Sequence, residues 1–152
     1  MIESKYTSTL EQLIQYAKSI GDTPNVPFTA ERYLIAIIDL IEGEFTIEEY
    51  PMSSKCNLQG ILGDNLDLTG MKSDLLGYIS AKKSSSFLDD LYMKKRLADA
   101  QSKAKENGVN EITPELLLMC IMENPSDVIK GCLQHRKDNT GDNVDADPAC
   151  ET

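Results

Sequence analysis

Between Ile112 and Met122 the chain reads Ile-Thr-Pro-Glu-Leu-Leu-Leu-Met-Cys-Ile-Met. Polar residues stop at Glu115, and Leu116 to Met122 offers no polar face. A run of this kind behind a capped start predicts a central core helix rather than a surface helix. Thr113 suits the N-cap, where its hydroxyl accepts from a free amide of the first turn. Pro114 suits the first helical position, which needs no amide hydrogen. Glu115 sets negative charge on the positive end of the helix dipole. The run falls far short of the roughly 20 apolar residues that span a membrane.

The same pattern stands earlier in the chain, as Phe28-Thr29-Ala30-Glu31-Arg32-Tyr33-Leu34-Ile35-Ala36-Ile37-Ile38. Thr29 matches Thr113, Glu31 matches Glu115 and Leu34 matches Leu118. The segments before the two copies match as well. Tyr6, Leu10, Leu13, Ala17 and Gly21 correspond to Met93, Leu97, Ala100, Ala104 and Gly108. Each set is a helical stripe closed by a glycine that suits a helix C-terminus. The pattern predicts an internal duplication.

The remaining elements follow from caps and breakers. Helices are predicted from about Thr7 to Ile20 and from Ala30 to Ile41, the second ended by Gly43. Gly21 to Phe28 reads as a loop with two prolines. Glu44 to Asn57, with Glu44, Glu48, Glu49 and Pro51, reads as an exposed insertion. A short helix at Leu58 to Leu62 precedes a turn bracketed by Gly63 and Gly70, then a helix from Met71 to Ser80. Lys82 to Ser86 is a polar connector. A long helix is predicted from Phe87 to Asn107. The central helix Pro114 to Glu123 stops before Pro125, because proline disfavours helix in the residue ahead of it. Ser126 caps a last helix from Asp127 to about His135. Lys137 to Thr152 is acidic, has no apolar stripe and reads as a disordered tail or linker. No segment alternates as a strand should, so the expected class is all-α.

Composition narrows the function. The 152 residues suit one domain. With no Trp and only 3 Phe, the core must be mostly aliphatic. A net charge of -10 argues against nucleic acid or an acidic membrane as partner, since both reward a basic surface. Cys56, Cys120, Cys132 and Cys150 form no Cys-x-x-Cys pair, and His135 is the single histidine. They read as reduced thiols of a cytoplasmic protein, with no metal site. The start Met-Ile-Glu-Ser-Lys has no hydrophobic signal region. Asp142, Asp145 and Asp147 lack the glycine and glutamate of a calcium loop in register. Cys132 and His135 have no orienting partner for nucleophilic chemistry.

No stretch supplies the glycine spacing of a phosphate-binding loop; Gly63 to Ser73 comes nearest and fails. The chain is therefore expected to be no enzyme and to need no cofactor. Calorimetry should find no ATP binding, and a micromolar affinity would contradict that reading.

Taken together, the residues resemble the Clp N-terminal domain, the repeat domain at the front of ClpA-, ClpB- and ClpC-type AAA+ unfoldases. The resemblance rests on Lys5-Tyr6-Thr7, Ala17, Gly21 and Thr29-Ala30-Glu31-Arg32-Tyr33-Leu34. In the second copy it rests on Ala100, Ala104, Gly108 and Ile112-Thr113-Pro114-Glu115-Leu116-Leu117-Leu118. It covers about Ile2 to Leu133. Three features depart from the family pattern. Arg32 and Leu116 stand where the family has histidine, Lys94 stands at the place equivalent to Thr7, and Glu44 to Asn57 is longer than usual.

The resemblance implies a tandem repeat about a pseudo-twofold axis, spanning residues 1–136, with repeat one at about 1–81 and repeat two at about 87–136. Residues 137–152 would be the linker to an ATPase ring in cis. It further implies a module that binds substrate proteins or adaptors, with no catalysis of its own. The alternative is a free-standing helical adaptor or regulator on the same fold. ClpC-type relatives use the matching glutamates for phosphoarginine-tagged proteins, and a carboxylate does fit a guanidinium bidentately. Glu31, Glu115, Thr7, Thr29 and Thr113 are thus the candidate ligand-binding residues. On this view Thr7 borders the start of the Ala30 helix, and Lys94 alters the second site.

Overall fold

The computed structural model describes residues 5–20, 29–48, 50–63, 66–81 and 87–139. The loop 21–28, the connector 82–86, the acidic tail beyond 139 and the side chain of His135 lie outside the described residues. Within them the chain is helical, with α1 (Ser8–Ser19), α2 (Ala30–Glu42), α3 (Met52–Leu62), α4 (Leu68–Ala81), α5 (Phe87–Glu106), α6 (Pro114–Glu123) and α7 (Asp127–Asn139). The all-α expectation holds, with one addition. Two-residue strands β1 (Lys5–Tyr6) and β2 (Glu111–Ile112) pair in parallel, Tyr6 against Ile112.

The helix starts follow cap chemistry. The hydroxyls of Thr7, Thr29 and Thr113 accept the amides of Leu10, Arg32 and Leu116 at 3.2, 3.3 and 3.1 Å. Ser126 accepts the Ile129 amide at 3.3 Å. Three of the described helix ends use glycine. Gly43 closes α2 at φ 85°, Gly63 closes α3 at φ 127° and Gly108 follows α5 at φ 72°, a region where a Cβ is costly.

The core is aliphatic, with α2 at its centre. Leu34, Ile35, Ile37, Ile38 and Leu40 are fully buried, as are Leu117, Leu118 and Ile121 of α6. Leu10, Leu13 and Ala17 on α1 and Met93, Ala100 and Ala104 on α5 are buried as well. Helix α1 packs on α2, and α5 packs on α6. Helix α6 is not enclosed all round, since Met119 is 42% exposed. Its neighbours Leu116 and Met122 are half-buried.

Four boundaries differ from the sequence expectation. Glu44 to Asn57 is exposed along much of its length, as expected, but it is anchored to the body. Phe45 stacks on Tyr16 with ring centroids 4.1 Å apart, Ile47 is buried, and Tyr50 reaches α6. These three side chains anchor the segment, so α3 begins at Met52 rather than Leu58. Helix α4 begins at Leu68, because the Asp67 carboxylate takes the Gly70 amide at 3.0 Å and starts the helix ahead of the glycine. Helix α7 continues to Asn139, three residues into the stretch assigned to the tail, as no breaker intervenes before Gly141. Cys56 is disulfide-bonded, which corrects the reading of all four cysteines as thiols; Cys120 and Cys132 form no disulfide.

Asp39 stands inside the apolar face of α2 and is only 3% exposed. Burying a carboxylate costs several kcal/mol unless it is paired and hydrogen-bonded. Here Tyr16 Oη donates to it at 2.5 Å, and Lys72 of α4 forms an ion pair with it. The Asp39 carbonyl also accepts the amides of Glu44 and Phe45 at 2.8 and 3.1 Å. One residue thus ties α1, α4 and the α2–α3 connection to the central helix.

Candidate functional site

The two helix starts singled out in the sequence are each tied to the other half of the chain. Glu31 lies in the first turn of α2. It is 5% exposed, and its Oε2 accepts from Ser126 Oγ at 2.7 Å. Ser126 is the N-cap of α7, so its hydroxyl serves two partners and is committed to structure. Glu115 lies in the first turn of α6, and its Oε1 accepts from Tyr50 Oη at 2.5 Å. Tyr33 Oη crosses between the two starts and donates to the Pro114 carbonyl at 2.9 Å. Each carboxylate has a half-buried hydroxyl partner, which satisfies a polar group the fold wholly or partly covers.

The threonines take different places. Thr29 and Thr113 are caps whose hydroxyls face their own helices. Thr7 lies by the start of α6. Its amide donates to the Ile112 carbonyl at 3.1 Å, which puts it beside Thr113. The β1–β2 register dictates this and was invisible to a reading that found no strands.

A cleft opens beside each glutamate. The one at Glu31 holds about 680 Å³ and is walled by Tyr92 and Arg96 of α5, the α6–α7 connection and Lys130 of α7. Arg96 lies over the Tyr92 ring, 4.9 Å from its centre, and contacts the Asp99 carboxylate at 3.1 Å. Tyr92 Oη and Arg96 Nη1 both donate to the Asn124 carbonyl, at 2.6 and 3.1 Å. These bonds hold the C-terminal end of α6 rigid against α5. The wall carries both signs of charge, with Glu31, Glu123 and Asp127 facing Arg96 and Lys130. The second cleft is smaller, about 450 Å³, and lies between α3 and α6 at Cys56, Gly60, Ile61, Glu115 and Met119.

The electrostatics follow burial. Burial pushes the Tyr50 hydroxyl well above the ordinary tyrosine range, and the bond to Glu115 raises it further. Tyr33, fully enclosed, is raised for the same first reason. Arg32 sends its Nε to the Ile20 carbonyl at 3.2 Å. Its guanidinium is pulled down by burial, an effect the neighbouring Glu31 opposes.

Sequence reasoning found the two glutamates and three caps but missed Tyr50, Ser126, Tyr92 and Arg96 as their surroundings. The signal available for Ser126 was its cap position. Tyr50 gave none, since its partner is distant in sequence. Among the described residues, no helix is long and apolar enough to cross a membrane. Among the same residues, no three of His, Cys, Asp and Glu gather closely enough to hold a metal ion. Comparison with family models, with curated proteins and with solved structures finds no match to this chain.

Proposed function

We propose that the chain is a protein-binding module of the Clp N-terminal type, a tandem repeat that captures substrates or adaptors for an ATP-dependent unfoldase and does no chemistry itself. The observation that carries this reading is the matched pair of helix starts. Each has a threonine cap, a glutamate in the first turn, a hydroxyl partner from the opposite half and a cleft alongside. The like packing of α1 on α2 and α5 on α6 supports the duplication. On this reading the partners are protein substrates or adaptors, phosphoarginine-tagged proteins among them. The AAA+ ring would lie in cis. The setting is cytoplasmic, where the state of Cys56 depends on the local redox poise.

Free amides of a helix start beside a carboxylate suit a ligand carrying both signs of charge. The two sites should differ in affinity, because the Glu31 cleft is larger and carries the cations Arg96 and Lys130. The test is titration with a phosphoarginine peptide and with unfolded casein. Glu31→Gln and Glu115→Gln keep an acceptor for Ser126 and Tyr50 and remove only the charge. Each is expected to preserve the helical signal and weaken binding by about 1–3 kcal/mol, the scale of one charge-assisted contact. Equal binding by the wild type and both variants, or no binding by any, overturns the reading.

A further inference from the structure

Helix α6 repeats one polar contact of α2 and leaves a second one open. On α2, Asp39 meets Tyr16 of α1 and Lys72 of α4. Counted from the caps Thr113 and Thr29, Glu123 stands on α6 where Asp39 stands on α2. Lys103 precedes Ala104 on α5 as Tyr16 precedes Ala17 on α1, and its Nζ lies 2.6 Å from Glu123 Oε1. The α1–α2 contact thus has its counterpart between α5 and α6. The contact from α4 has none among the described residues.

The open contact shows in the burial of the stripe around it. Ile35, one turn before Asp39, is fully enclosed, whereas Met119, at the same place on α6, is 42% exposed. The Glu123 side chain is 52% exposed, against 4% for Asp39. Helix α4 packs on both α2 and α7. Beside the corresponding stripe of α6 lies instead a groove of about 450 Å³, lined by Cys56, Gly60, Ile61, Glu115 and Met119. Nothing stands within 4 Å of where a Cβ on Gly60 would be. We propose that this groove and the Met119–Glu123 stripe form the docking surface for an amphipathic helix of a partner protein, one that sets a lysine or arginine beside its apolar stripe and lies on α6 as α4 lies on α2.

The chain itself supplies the template for that occupant. Leu68, Met71, Leu75 and Ile79 form the buried stripe of α4, at the spacing of one helix face. Lys72, next to Met71, delivers the cation to Asp39. A helix of this pattern covers Met119 with an apolar side chain and brings its cation to Glu123. A carboxylate can take the second cation besides Lys103, since its two oxygens offer about four acceptor sites. Unbranched methionine adapts to an incoming surface, and Met52 on α3, one turn before Cys56, is also exposed.

Charge selects a partner over a second copy. The chain carries a net charge of -10, so two copies repel, while a cationic helix is drawn to the Glu115 and Glu123 carboxylates. Laying an amphipathic helix into a groove is an established mode of recognition. Docking here rests on the duplication proposed above and needs no phosphoarginine.

The probe is a synthetic amphipathic helix whose leucines repeat the spacing of Leu68, Met71, Leu75 and Ile79. Its single lysine takes the place of Lys72, and its other positions are alanine and glutamine. Titrated into the full chain, it should bind saturably and shift the methyl resonance of Met119, with buried Met93 unmoved. Met119→Asp should keep the helical signal, because the site is exposed, and weaken binding at least about tenfold by placing a carboxylate in an apolar contact. Glu123→Lys should weaken it about threefold, the scale of an exposed ion pair, and a probe with glutamate in place of its lysine should recover that loss. No saturable binding, or binding that Met119→Asp leaves unchanged, overturns the proposal. So does a chain that sediments as a dimer dissociated by Met119→Asp, since the occupant is then a second copy. A probe that binds only after the Cys56 disulfide is reduced shows that the group linked there already covers the groove, and overturns it as well. The probe carries no phosphate, so its failure with phosphoarginine binding retained falls on this docking surface alone.

Discussion

Leu118→Ala is expected to remove about 2–5 kcal/mol of stability, measured by urea unfolding followed by helical circular dichroism. Leu118 has no exposed surface and stands in α6, where Leu117 and Ile121 are equally enclosed. The substitution loses the transfer energy of the deleted carbons and leaves a cavity that packed neighbours fill only in part. Leu34→Ala should cost a similar amount, since Leu34 on α2 is also fully buried. Against a total of about 5–15 kcal/mol for a domain, either change is severe. Met119→Ala is the internal contrast. It is adjacent on the same helix but 42% exposed, and surface changes usually stay within about 0.5 kcal/mol. A Leu118→Ala loss as small as that of Met119→Ala would contradict the placement of α6.

Stability should also fall steeply as pH rises above 10. Tyr16, Tyr33 and Tyr50 are all held above the ordinary tyrosine value of 10.0, in each case first by burial. Bonds to Asp39 and Glu115 add to this for Tyr16 and Tyr50. Below pH 10 these tyrosines are neutral in both states, and their contribution is fully present. Above it the unfolded chain releases protons that the folded chain keeps, so stability declines until the folded values are reached. Fully buried Tyr33 alone implies about 1.4 kcal/mol per pH unit. Tyr16 and Tyr50 act in the same direction over a narrower pH range, because solvent screens them. Lys72 acts in the same direction. Its bond to Asp39 raises it above 10.5, and that support is lost as pH rises through the folded value. Absorbance at 295 nm should show tyrosinate appearing together with loss of helix. Tyr33 ionising near pH 10 in an intact fold would contradict the model of its surroundings.

What the sequence revealed was local chemistry. Thr7, Thr29, Thr113 and Ser126 were legible as caps because an N-cap is decided within three residues of itself. The stripes at Leu10, Leu13 and Ala17 and at Ala100 and Ala104 were legible because helical spacing is. The stretch from Glu44 to Asn57 was legible as exposed from its acids, but its anchors were not, because Phe45, Ile47 and Tyr50 gain their meaning from partners on other helices. Asp39 was passed over within an apolar run, since only the fold reveals Tyr16 and Lys72 beside it. The two glutamates were found, but not their burial, because Ser126 and Tyr50 are far from them in the chain. Cysteine pairing is likewise not deducible from spacing alone.

The small β1–β2 ribbon has a bearing on how the chain comes to be folded. Tyr6 pairs with Ile112, so Tyr6 must wait for a residue made about a hundred positions later. At roughly 5–20 residues per second of synthesis, that interval is on the order of 5–20 s. During it, α1 and α2 can pack on each other, yet the Pro114 carbonyl that Tyr33 needs and the Ser126 hydroxyl that Glu31 needs do not exist. The first half therefore emerges as an unfinished body with buried polar groups still hydrated, and it closes only when the second half arrives.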